Sequence, residues 1–243
     1  NTTRFYLIKQ TKKKETDMSL TIKSEGDFEA LAVGQYEGVC YRIVDMGTRE
    51  EVYKDNPPKK RTTVQITFEL PTEKMDDGRP LSISRTYTQS LFESSALRKD
   101  LVSWRGKNFT PDEEAGFDIS NLLGKNALIE VAHTENGKAK IAGIFKPDGG
   151  VQETPTHNEL TAFDMDVFCN EFNGNSNDET KAMCDIFDTL PEWQQKDIED
   201  SFELKAAKKD SNASVEEAEV VEEESKGLAD FQADAEGDDS IPF

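Results

Sequence analysis

The sequence predicts a mainly β domain with an inserted helical segment, followed by a small helical appendage and an acidic tail. Five segments between residues 34 and 145 have the alternation, or the β-branched and aromatic content, of short strands. Helical spacing of apolar residues replaces this pattern after residue 90 and again beyond residue 158. Residues 153–243 contain 26 acidic and 6 basic residues, whereas residues 1–152 contain 23 of each. The excess negative charge therefore belongs to the appendage and the tail.

The first predicted strand runs from residue 36 to residue 46 and ends at Gly47. Gly38 lies within it, and we expect there a bend or bulge of the kind that lets one long strand join both sheets of a small barrel. A polar and basic loop is predicted to follow, from Thr48 to Lys60.

The second predicted strand, residues 61–70, has the clearest alternation in the chain and is expected to be a half-buried antiparallel strand. The third strand, residues 81–88, returns after a turn. The fourth and fifth strands, residues 126–133 and 138–145, are joined by the turn Asn136-Gly137. One face of the second strand carries Thr62, Val64, Ile66, Phe68 and Leu70.

A helical segment separates the third strand from the fourth. Ser94 is predicted to cap a helix that ends at Gly106, and residues 110–116 carry a capping box with Pro at the first helical position. The order of three strands, helix and two strands is that of the OB-fold, a five-stranded Greek-key barrel. The sequence therefore predicts an OB-fold barrel over residues 34–147. The core face of the first helix carries Leu97, Leu101 and Trp104.

Beyond the barrel, the chain divides by composition. Residues 148–158 predict a linker and residues 159–207 an acidic helical appendage. Residues 208–243 predict a disordered tail, because acidic and small residues bury too little apolar surface to fold. The appendage packs on the barrel, pairs with a second copy in a homo-oligomer, or recruits a partner.

The first residues, 1–33, are predicted to form an N-terminal arm. Lys12, Lys13 and Lys14 are suited to contact with phosphates. In the interpretation that we favour, Met18 is the natural start and the residues before it are not native. No function is assigned to these lysines.

No catalytic constellation is found in the sequence, which lacks a phosphate loop of the Gly-Lys-Ser/Thr type, a His-Glu-x-x-His motif and a Gly-x-Ser-x-Gly motif. Cys40, Cys169 and Cys184 are odd in number and widely spaced, which favours a reducing cytoplasm over a disulfide framework. His133 and His157 lie far apart and predict no metal site. We expect a non-enzymatic protein with no cofactor and no membrane partner, because no apolar run is long enough to span a bilayer.

Binding to a single nucleic-acid strand requires aromatic rings on which bases stack and cations that follow the phosphates. Basic and aromatic residues interleave in the loop between the first two strands, and others lie on the third and fifth strands. The candidate residues are Arg49, Tyr53, Lys54, Lys59, Lys60, Arg61, Arg85, Tyr87, Lys138 and Lys140.

The last residues combine acidic charge with a compact apolar tip. Pro242 restricts the backbone before Phe243, and the ring beside a carboxylate suits an apolar pocket rimmed by Lys or Arg. We therefore predict a partner-binding site at Asp238, Asp239, Ile241, Pro242 and Phe243.

These residues also carry a resemblance. The acidic run that closes on Ile-Pro-Phe resembles the C-terminal tip of bacterial single-stranded DNA-binding proteins. Residues 34–204, with the runs at 47–48, 66–71, 97–106 and 190–193, are similar to small phage proteins found among replication genes. The helix-bearing segment between barrel and tail departs from the bacterial pattern.

The resemblance implies a phage single-stranded DNA-binding protein that acts in the cytoplasm of the bacterial host. Its expected partners are single-stranded DNA and, through the tip, replication or recombination proteins. It assigns no role to any single residue. The alternative is an acidic interaction protein or DNA mimic that occupies host pockets meant for the tip of the host's own single-stranded DNA-binding protein.

Overall fold

The structure, a computed structural model, describes residues 31–52 and 57–209. The predictions for most of the N-terminal arm, for Tyr53 and Lys54, and for the acidic tail with its Ile-Pro-Phe tip lie outside these residues.

In the described part of the chain six strands form one mostly antiparallel sheet, in which β3, β2, β1, β4 and β5 follow one another. β3 and β5 are the two ends of this path, so the sheet is not closed and the predicted OB-fold barrel is not confirmed. The short sixth strand, which the sequence did not predict, pairs in parallel with β1. The strands are β1 (Gly34–Glu51), β2 (Lys59–Lys74), β3 (Pro80–Thr88), β4 (Asn126–His133), β5 (Ala139–Phe145) and β6 (Thr161–Phe163).

The central strand β1 changes partners along its length. Its first part, Gly34 to Val39, pairs with β4, and the part from Val39 onward pairs with β2. The pairing with β2 shifts between Cys40 and Arg42, so the bulge lies beyond the predicted Gly38. Gly38 is needed for another reason, since a Cβ there would lie 2.9 Å from the Ile129 side chain of β4.

The two ends of the predicted loop from Thr48 to Lys60 belong to strands β1 and β2 and form a β-hairpin stem. Gly47 does not end β1 but lies at φ 66° in a second register shift, after which the strand continues to Glu51. We call Arg49–Glu51 and Lys59–Arg61 the hairpin stem. Its pairs Glu50↔Lys60 and Glu51↔Lys59 set opposite charges across the strands, an arrangement that stabilises antiparallel pairing.

Within residues 31–52 and 57–209, five α-helices and a 3-10 helix accompany the sheet, and residues 202–209 form a further helix that we call α6. Helix α1 is capped by Ser95, whose hydroxyl accepts from the Arg98 amide, and not by the predicted Ser94. The predicted capping box of α2 is present. The helices are α1 (Ala96–Arg105), α2 (Pro111–Ala115), the 3-10 helix (Ile119–Leu122), α3 (Met165–Phe172), α4 (Asp178–Thr189) and α5 (Glu192–Glu199).

Two apolar cores lie on opposite faces of β1. In the first, Trp104 of α1 packs edge-on against Phe68 at 5.2 Å, as the helical spacing predicts for a core residue. The second core is formed by β6 and helices α3 to α6 around Val44 and Met46 of β1. The appendage therefore packs on the sheet, which is one of the three arrangements left open by the sequence.

Candidate nucleic-acid interface

The hairpin stem brings four of the predicted cations together, but acidic side chains already meet two of them. Arg49 is ion-paired with Asp197 of α5, and Arg61 Nε lies 3.4 Å from Glu51. Lys60 Nζ lies 4.0 Å from the ring centre of Phe202. Lys59 is exposed and has no ion pair within the described part of the chain. The stem is therefore partly neutralised.

Tyr87 is in the core and not on the binding surface that the sequence predicts. Its ring is 3% exposed, and its hydroxyl donates to Asp100 Oδ2 at 2.7 Å. Burial, followed by the charge of Asp100, raises the pKa of Tyr87 above its ordinary value. A base cannot stack on this ring unless β3 and α1 separate. The prediction that Tyr87 contacts DNA is therefore corrected, and Tyr87 is a structural residue.

Arg85 lies beside Tyr87 on β3 and reaches across the gap between the two ends of the sheet. Its Nη1 is 2.8 Å from Asp100 Oδ2 and 3.4 Å from the carbonyl oxygen of Ala142 in β5. Burial raises the pKa of Asp100, and the hydrogen bond from Tyr87 and the charge of Arg85 act in the opposite direction. Arg85 therefore bridges β3, α1 and β5.

A cleft of about 550 Å³ opens where β3 faces β5, and we call it the seam cleft. Lys140 brings a second cation to it, and this lysine has no ion pair among the residues that the structure describes. Lys138, predicted on the fifth strand, lies exposed just before β5. The seam cleft thus combines basic and hydroxyl groups, and it is lined by Ser84, Arg85, Thr86, Ala132, Lys140, Ile141 and Ala142.

The outer face of β2, predicted to be exposed, is covered by the appendage and by the segment before it. Gln194 of α5 donates to Gln65 Oε1 at 2.6 Å. The Glu69 carboxylate accepts from the amides of His157 and Asn158 at 2.8 and 2.9 Å. β2 is therefore buried on both faces, because four polar residues that alternation assigns to solvent are at most 6% exposed: Thr63, Gln65, Thr67 and Glu69.

A second cavity, of about 330 Å³, lies between α1, β2 and the 3-10 helix. Its lining is largely apolar but includes the carboxylates of Asp45 and Asp118. Burial raises the pKa of Asp45. Two carboxylates and few donors make this cavity unsuited to phosphate.

The exposed aromatic rings were missed by sequence reasoning. Trp193 and Phe202 fit the apolar spacing of the last helices together with Ile198, yet they are 52% and 39% exposed, whereas Ile198 is fully buried. The short helix α5 ends at Glu199, so Phe202 belongs to α6 and does not continue the face that carries Ile198. The rings that stand exposed within residues 31–52 and 57–209 are Phe92, Phe145, Trp193 and Phe202.

Metal ligands and membrane spans were also sought. Among the described residues, no three His, Cys, Asp or Glu side chains come together as a metal site would require. None of the described helices has the length and apolar character needed to cross a bilayer.

Comparison with known proteins identifies no relative: no family model, no curated protein and no solved structure matches this chain. The candidate interface therefore rests on the seam cleft and the hairpin stem themselves.

Proposed function

We propose that this chain is a non-enzymatic single-stranded DNA-binding protein that protects single strands during phage DNA replication or recombination. The observation that carries the proposal is the seam cleft. Lys140 supplies positive charge from β5, Arg85 supplies from β3 a guanidinium that Asp100 partly neutralises, and Ser84 adds a hydroxyl donor for phosphate oxygens. The Thr86 hydroxyl, which accepts from Gln65, also lines the cleft. Its volume of about 550 Å³ is in the range of ligand-binding clefts, about 300–1,000 Å³.

The order of the strands supports an OB-fold as the framework. The long strand β1 is shared by β2 and β4, and β3 and β5 stand at the ends of the path. Helix α1 follows β3 in sequence and contacts Arg85 of β3. It also accepts, at the Ser103 carbonyl oxygen, from the amide of Lys146, the residue that follows β5. An OB-fold is a partly open Greek-key barrel that binds oligonucleotides. In this proposal β6 is an addition to the barrel.

The acidic tip is the second element of the proposed function. Asp238, Asp239, Ile241, Pro242 and Phe243 recruit replication or recombination proteins by placing an apolar anchor and its charges in a basic-rimmed pocket. The support is the sequence and its resemblance to bacterial single-stranded DNA-binding proteins.

A second candidate function is an acidic interaction protein or DNA mimic that fills host pockets. One observation favours it. The carboxylate of Asp197 is ion-paired with Arg49, so the appendage already acts as an anionic ligand of a basic residue on the hairpin stem. Residues 153–204 contain 14 acidic and 2 basic residues, a balance that attracts basic partners.

Fluorescence anisotropy with a labelled oligo-dT strand and a duplex of equal length separates the two functions. We expect the single strand to be preferred and log affinity to fall linearly with log salt concentration, by about 0.7 per phosphate contacted. Equal affinity for duplex, or an affinity independent of salt, contradicts DNA binding. Absence of DNA binding together with capture of host replication proteins by the tip supports the DNA mimic.

A further inference from the structure

Helices α5 and α6 clamp the hairpin stem through contacts that resemble those a nucleotide would make. A carboxylate, that of Asp197, meets the Arg49 guanidinium. A second carboxylate, that of Glu203, accepts from the amide of Thr48, the residue just before the stem, at 2.8 Å. An aromatic ring, that of Phe202, lies 4.0 Å from the Lys60 ammonium.

The contact between α5 and β2 is polar and not fully hydrogen-bonded. Gln194 is fully buried and bonds to Gln65 through its amide nitrogen, while its own Oε1 has no hydrogen-bond partner among the described residues. The buried hydroxyls of Thr63 and Thr67 also lack one there. Unsatisfied buried polar groups weaken an interface, and polar contacts are typical of surfaces that associate reversibly.

The appendage holds most of its own core. Eight of the ten buried residues of the second core come from residues 163–207, and only Val44 and Met46 come from β1. The apolar anchor of the appendage on the sheet is therefore small compared with the core that holds its helices together. The appendage is also held to β1 by the parallel pairing of β6. A movement of its helices that keeps this pairing exposes fewer apolar groups than their unfolding would.

We propose that α5 and α6 form an internal cover that competes with single-stranded DNA for the hairpin stem. The inference rests on the proposed function and adds a means of regulation to it. The cover supplies carboxylates where the strand supplies phosphates, so each excludes the other. By reciprocity, a change that opens the cover tightens DNA binding, and bound DNA loosens the cover.

The test compares two full-length variants that each remove one negative charge from α5. Asp197→Asn removes the partner of Arg49, and Glu199→Gln changes an exposed carboxylate with no ion pair in the described part of the chain. We expect Asp197→Asn to tighten oligo-dT binding about two- to fivefold at low salt, the range of a partly exposed ion pair, and Glu199→Gln to change it little. Equal effects of the two variants would show a general charge effect and overturn the cover.

Phe202→Ala gives an independent outcome. If the ring belongs to the cover, its loss leaves DNA affinity unchanged or higher. If Phe202 is instead a platform for a base, the variant binds more weakly, and the proposal is wrong. Failure of every variant and of the unmodified chain to bind oligo-dT would refute the proposed function itself.

Hydrogen exchange measures the cover directly. The Thr48 amide donates to the Glu203 carboxylate of α6 only while the cover is in place. We expect this amide to exchange faster in Asp197→Asn than in Glu199→Gln, both without DNA. Unchanged or slower exchange there would contradict displacement of the cover.

Discussion

The Tyr87 hydroxyl donates a 2.7 Å hydrogen bond to Oδ2 of Asp100 and so joins strand β3 to helix α1. Because the bond is partly buried and its acceptor is charged, Tyr87→Phe should lower the free energy of unfolding by about 1–3 kcal/mol. Denaturation in urea measures this loss. DNA affinity should stay within about twofold, since the ring and the surface are unchanged. If the variant had normal stability but bound DNA poorly, Tyr87 would have to be part of the DNA-binding surface.

Asp100 should also make the free energy of unfolding depend on pH. Burial raises its folded-state pKa above the ordinary 3.8, so the folded chain holds this proton more tightly than the unfolded chain. The contribution of Asp100 to stability is therefore fully present below pH 3.8 and is lost as pH rises through the folded pKa. Relative to the unmodified chain, Asp100→Asn should become more stable as pH rises through this window. Denaturation at a series of pH values tests this, and a stability difference that does not vary with pH would contradict it.

Lys140 should make a phosphate contact in the seam cleft. We predict that Lys140→Ala weakens oligo-dT binding and reduces the slope of log affinity against log salt by about 0.7, the value for one contact to a single strand. Lys74→Ala is the matched control, because Lys74 is an exposed lysine at the far end of β2. Equal slopes for the two variants would place the strand elsewhere.

The close approach of β1 and β4 at Gly38 gives a prediction about packing. A Cβ there would lie 2.9 Å from Ile129 Cγ1 and 3.3 Å from Leu70 Cδ2, so Gly38→Ala should destabilise the fold by about 1–3 kcal/mol through overpacking. At Gly116 a Cβ meets no atom within 4 Å, and Gly116→Ala serves as the control. Thermal denaturation compares them. A neutral Gly38→Ala would mean that the two strands can separate without loss.

The tail should influence DNA binding by charge and partner binding by its tip. Residues 215–243 contain 11 acidic residues and one Lys, so the tether can compete with DNA at low salt. Deletion of residues 230–243 should tighten oligo-dT binding at low salt, with the gain fading as salt rises. Phe243→Ala should abolish capture of a replication partner and leave DNA affinity nearly unchanged, because every side-chain charge is kept. Equal effects of the two changes on DNA affinity would contradict separate roles.

The alternation of apolar residues was sufficient to predict the strands that line the first core. Val64, Ile66 and Phe68 face inward as expected, because a strand buried on at least one face must repeat every second residue. The hairpin stem was missed because its strands are held by backbone bonds and cross-strand charges, which leave no apolar period. β6 is three residues long and too short for any period.

The burial of the outer face of β2 could not be predicted from the sequence for a different reason. Gln65 and Glu69 are buried polar residues whose partners Gln194 and Asn158 lie 129 and 89 residues further along the chain. Sequence pattern reports polarity and not the presence of a partner, so polar positions were assigned to solvent. The same limit explains Tyr87, whose hydroxyl is satisfied by Asp100 only in the folded chain.

The exchange of partners by β1 has a consequence during synthesis. Its second half can pair with β2 soon after both emerge, because the two are joined by a hairpin. Its first half must wait for residues 126–131 of β4, and residues 42–44 must wait for β6 before their second edge is filled. Until then the nascent chain exposes an unprotected strand edge, which is a template for pairing with other chains. We therefore expect truncated products that end before residue 126 to aggregate. Chains that include β4 and β6 should aggregate less, because these strands pair with the exposed edge of β1.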